Sequence, residues 1–173
     1  MNKTFSISVT LLRLLLAAWI GAAILYVITS VAEQTSPNFD SVTRDQLATV
    51  RFPLYYQFGF VVHIVAAFLA VFAWLSARAI ASRRFLAVML LVFVSFVLFV
   101  LDYHFVYTPL QNSIIPPGQA RTQDFVKLHT WSRHANEAHL MVAFIATLLA
   151  AIPVRAAAPG LAPTGRDCAV DHD

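Results

Sequence analysis

Apolar residues in this chain come in long runs rather than in alternation. Charge is missing from Leu14 to Ala32, from Phe52 to Ala77, from Phe85 to Leu101 and from Ala138 to Val154. A helix that crosses a bilayer needs about 20 mostly apolar residues. The first three runs meet that need with small extensions at their ends. The fourth meets it only if its helix starts near Gln123 and takes in the polar stretch "LHTWSRHANEAHL", Leu128 to Leu140. Strict alternation is absent, and Ala, Leu and Phe fill each run all round, so helices are expected and strands are not. Backbone groups in lipid must be satisfied internally, which favours helices again. The pattern predicts an all-α membrane four-helix bundle over residues 1–155, with helices at about 6–32, 53–78, 84–107 and 123–153. A tail over 156–173, small and rich in Pro and Gly, is expected to be disordered.

Composition agrees. The chain has 173 residues, 59% hydrophobic and 12% charged. Average globular chains are roughly 45–50% apolar and about 25% charged. So little charge cannot cover the surface of a soluble domain. The single cysteine, Cys168, excludes an internal disulfide and a cysteine zinc cluster. Net charge is +3, and no nucleic-acid partner is expected from it.

The placement of charge sets orientation. Arg78, Arg83 and Arg84 crowd the short connection between the second and third runs, with no acid beside them. The positive-inside rule puts that connection in the cytoplasm, and both termini with it. Lys3, Arg155 and Arg166 agree. A bacterial inner membrane is the expected location. A cleaved leader is the alternative for the first run, but the run lacks a clear cleavage site and carries Arg13 within it. A retained helix with Arg13 snorkelling outward is expected.

The outer loops carry local signals. Asp40 or Ser41 can cap a short interfacial helix leading into the second run, with Pro53 near that run's first turn. Pro116-Pro117-Gly118 forbids a helix in the loop after the third run. Thr122 suits a cap for the fourth helix, with Asp124 in its first turn.

Candidate chemistry concentrates in the fourth helix. On a helical projection His129, Ser132, Asn136 and His139 share one sector, and Arg133 and Glu137 extend it. His134 lies further round. Ionisable groups at membrane depth usually face a bundle interior or a wet cavity, so a polar intramembrane face is expected here. Solvation of this face by headgroups is the plainer alternative. His63 on the second helix and His139 on the fourth should lie at equal depth, as axial ligation of a haem b requires. A single hydrogen bond for each histidine is the commoner arrangement. Asp102, His104, His129 and His134 carry metal-ligand side chains, without a recognised spacing. Asp102 is a candidate partner for Arg133.

Four short stretches carry a resemblance: Arg13 with "WIGAAILYV", "VRFPLYYQFG", "YTPL" and "FVKLHTWSRHAN". Together they resemble the four-helix membrane family that includes eukaryotic transmembrane protein 205 and many bacterial proteins of unknown function. The match runs from about Leu11 to Ile152. It matches Phe-Pro-x-Tyr at the second helix, Tyr-x-x-Pro leaving the third, and Leu128, His129, Ser132 and Asn136 in the fourth. The resemblance implies the four-helix fold and a membrane location. The eukaryotic member is linked to platinum-drug resistance and vesicle membranes.

Three functions fit this reading. The first is a non-enzymatic membrane protein, standing alone or serving as an accessory subunit, with membrane lipid around it and a homo-oligomer or larger complex as its assembly. The second is a haem- or metal-binding redox protein using His63 and His139. The third is permeation of a small solute or ion along the polar face of the fourth helix, with Arg133 and Glu137 as gate charges.

Overall fold

The computed structural model describes residues 3–77 and 79–153. The expected tail, Cys168 and Arg78 lie outside the described residues. All regular structure among those described is helical. In order come α1 (Lys3–Thr35), α2 (Ser41–Ser76), α3 (Ala79–Asp102), a π-helical turn (Tyr103–Tyr107), α4 (Thr108–Asn112) and α5 (Gln123–Ala151). Three segments are long and apolar enough to cross a membrane: Lys3–Thr35, Ser41–Ser76 and Ser82–Asn112. The more polar α5 is not among them.

Two expectations about helix ends need revision. The stretch after Asp40 is not a separate interfacial helix. It runs unbroken into α2, which places Pro53 inside a helix of 36 residues rather than in a first turn. The third helix does not stop near Tyr107 either. A π turn shifts its register, and the helix resumes as α4 with Pro109 near its start. Pro109 has no N–H to offer the preceding turn, and the shift of register falls where that hydrogen bond is missing. Thr108 donates its hydroxyl to the Tyr103 carbonyl at 2.8 Å and helps satisfy the widened turn. The caps follow the sequence. Asp40 Oδ1 accepts from the Thr43 amide at 2.8 Å, and Thr122 Oγ1 accepts from the Phe125 amide at 3.2 Å.

The helices pack in a ring: α1 on α2, α2 on α3, α3 on α5, and α5 back on α1. Two polar contacts mark its ends. Arg13 Nε donates to the Ala150 carbonyl at 2.6 Å, and Arg51 pairs with Glu33. Arg13 and Glu33 are 20 residues apart on α1, so at 1.5 Å per residue they stand about 30 Å apart, the thickness of a hydrocarbon core. We call the Arg13 end inner and the Arg51 end outer. The inner core is aliphatic: Leu12, Leu16, Ala66, Ala70, Val88, Val92, Ala146 and Ala150. Its alanines let backbones approach closely, which is how helices associate when lipid offers no hydrophobic drive. The outer core is aromatic, built on Trp19, Tyr56, Phe99 and Tyr107.

Candidate functional site

At the centre, each of the four long helices contributes one ring. Trp19, His63, Phe99 and His139 come from α1, α2, α3 and α5, and all are fully or almost fully buried. Every pair of these rings lies within reach. Their centroids are 5.2 Å apart for Trp19–His63, 5.6 Å for Trp19–Phe99 and 6.1 Å for Trp19–His139. The remaining pairs are His63–Phe99 at 4.8 Å, His63–His139 at 6.1 Å and Phe99–His139 at 5.4 Å. The cluster closes on a glycine. A Cβ at Gly59 would strike Phe99 and sit 2.8 Å from Trp19 Cη2.

Polar contacts tie these rings to their neighbours. His63 Nδ1 lies 2.8 Å from the Gly59 carbonyl, which can only accept, so the proton sits on Nδ1. Its Nε2 lies 3.2 Å from Ser95 Oγ, and the Ser95 hydroxyl is placed to donate to the His139 carbonyl at 3.0 Å. One hydroxyl proton cannot serve both acceptors, so Ser95 chooses between α2 and α5. On the other side, Asn136 Oδ1 accepts from Tyr55 at 2.8 Å and from His139 Nε2 at 2.8 Å. Nearer the outer end, Tyr56 donates to Asp102 Oδ2 at 2.6 Å. Trp19 Nε1, His139 Nδ1 and Asp102 Oδ1 are buried without a partner among the described residues.

His63 and His139 are therefore close, as their depths on α2 and α5 implied, but they do not fit an axially ligated haem. A porphyrin needs an open slab between the two rings. Trp19 and Phe99 close that space, and each Nε2 already faces a protein oxygen. The metal candidates are not brought together. Asp102 is buried against Tyr56, and His104 is exposed beside Tyr103. His129 is exposed near the outer end, and His134 turns outward to Glu137 at 3.3 Å. No three such ligands gather among the described residues. Asp102 does not pair with Arg133, which instead stands 4.0 Å from Glu137.

The polar face of α5 divides in two. His139 is fully buried, and Asn136 and Ser132 are half-buried. Arg133, His134 and Glu137 point out of the bundle with side chains about 64% exposed. The projection placed these neighbours on one broad face without showing which edge turned inward.

Sequence reasoning passed over the outer end of the bundle. Asp45 on α2 is only 1% exposed. Its Oδ2 accepts from the Gly118 amide at 2.8 Å, and Arg121 pairs with Oδ1. Gly118 has φ +87, and a Cβ there would lie 2.7 Å from Val42 Cγ2, so the loop needs glycine at this point. Beneath this clasp a chamber of about 380 Å³ opens between α1, α2, α4 and α5. A charged residue inside an otherwise half-apolar helix start was the available signal at Asp45. The chain matched no family model, no curated protein and no solved structure.

Proposed function

We propose that this chain crosses the membrane four times, with the Arg13 end in the cytoplasm, and serves as a non-enzymatic subunit docked to another membrane protein through the outer half of α5. One observation carries this reading. Arg133 and His134 both reach Glu137, and the three face away from the bundle. Glu137 lies 13 residues above Ala150, about 20 Å at 1.5 Å per residue, and Arg13 meets Ala150 at the inner edge. The triad thus sits within the outer leaflet. Charge facing lipid at such depth costs about 2.5 kcal/mol or more per group near the midplane, less toward the interface. A polar partner surface removes that cost. The buried polar groups, by contrast, are largely spent on bracing the helices.

The likeness to the transmembrane protein 205 family belongs to the same proposal. Tyr55 and Asn136, which belong to two of its motifs, meet in one hydrogen bond.

A photo-crosslinking residue placed at Glu137 in native membranes tests the docking. It should give a discrete protein adduct, while the same residue at Phe72, exposed on α2, should give none. Lipid adducts alone at both positions would end the docking proposal.

A further inference from the structure

We propose that the outer chamber binds a single-chain amphiphile with a carboxylate or phosphate head. Its volume of about 380 Å³ lies within the usual range of ligand sites, roughly 300–1,000 Å³. That is room for a head and a stretch of one chain. Apolar walls come from each surrounding element: Val31 on α1, Ala48 and Phe52 on α2, Leu110 on α4 and Phe125 on α5. The chamber lies at the level of Arg51 and Glu33, the outer edge of the hydrocarbon slab. A membrane amphiphile reaches it without leaving the interface.

The polar lining sets the head. Arg51, Arg121 and Asp45 border the chamber, with His129 and Gln111 beside them, and Glu33 pairs with Arg51, so the two cations are matched by two carboxylates. Asp45 has both oxygens engaged, by Gly118 and Arg121. It offers little to a ligand and repels little. The guanidiniums keep spare donors. Arg51 reaches Glu33 through Nη1. Five N–H groups on each arginine exceed what one carboxylate consumes. Donors in surplus and carboxylate acceptors already spent select an oxyanion, since charge-assisted hydrogen bonds are about twice as strong as neutral ones. The alkyl part then covers the apolar wall.

Native mass spectrometry of the full chain in detergent tests this with oleate, oleoyl lysophosphatidate, methyl oleate and inorganic phosphate. One oleate or one lysophosphatidate should be retained per chain, and whichever is held more tightly names the head. Methyl oleate and free phosphate should bind at least tenfold more weakly. Ala48→Phe, which fills the chamber from α2, should weaken binding at least tenfold. Gln111→Leu removes a donor at the rim and should weaken it about threefold with helix content unchanged. If Ala48→Phe loses helix content, Gln111→Leu decides. Methyl oleate or phosphate retained as well as oleate would overturn the proposal. So would wild-type binding in the deciding variant.

Discussion

Near Arg13 the helices meet through alanines; near Arg51 they meet through rings, hydrogen bonds and ion pairs. The inner half places Ala66, Ala70, Ala146 and Ala150 at the contacts, all at most 1% exposed. The directed contacts there are few: the Arg13–Ala150 hydrogen bond and the Phe5–Phe85 edge contact beyond it. From the centre outward, one ring from each helix joins a closed cluster, fastened by Ser95, Asn136 and Tyr55, with the Tyr56–Asp102 pair above it. The lesson concerns specificity. Close-packed alanines hold helices together in many registers, whereas a four-ring cluster with directed hydrogen bonds accepts one. The outer half therefore defines which bundle forms, and it is also where a cavity and outward charge remain.

The sharpest way to break this comparison is to truncate one ring. Trp19→Ala removes the side chain that touches all three partners and leaves a cavity that rigid neighbours cannot fill. A loss of about 3–5 kcal/mol is expected. Unfolding in mixed micelles of rising denaturing-detergent fraction, followed by helical circular dichroism, reads it directly. A loss below about 1 kcal/mol would mean the cluster does not define the bundle.

The inner half should fail differently. Truncation has little to remove from an alanine, so excess volume is the test there. Ala146→Leu pushes α5 from its neighbours and should cost about 1–3 kcal/mol in the same assay. The effect should be smaller than that of Trp19→Ala because displaced helices can slide along a smooth aliphatic face. An Ala146→Leu cost above that of Trp19→Ala would reverse the ranking of the two halves.

The sequence showed these halves unequally. Charge-free runs point to membrane helices because lipid penalises charge wherever it falls along them, and three helices long and apolar enough to cross a membrane are present among the described residues. The depth match of His63 and His139 was also legible, since rise per residue is nearly constant in a helix. What stayed hidden depended on rotation and register. Ser95 looks like any small residue in an apolar run, yet it links α3 to α5. Arg133 and Asn136 share a broad polar face, and only packing determines that one turns out and the other in. The π turn at Tyr103–Tyr107 left no composition signal. Asp45 and Arg121 are far apart in sequence, and their meeting waits on the loop that Gly118 bends.

The smallest expected effect sharpens the outer half at its far end, where α2 begins. Asp40 caps that helix, and the amide of Thr43 donates to its carboxylate. That hydrogen bond favours the charged form and holds the Asp40 pKa below the usual carboxylate range. In the unfolded chain the group titrates near about 3.9. Because the folded value is the lower one, the stabilisation is complete above the unfolded pKa. It is lost as pH falls through the folded value. Asp40→Asn keeps a capping oxygen but does not titrate. The melting-temperature difference between wild type and this variant should therefore stay constant from pH 7 to pH 5 and shrink toward pH 3. Other carboxylates titrate in both proteins and largely cancel in the difference. A difference that does not change between pH 7 and pH 3 would show that the cap hydrogen bond adds nothing to the outer half. The division between a smooth inner bundle and a fastened outer one would then rest on the buried cluster alone.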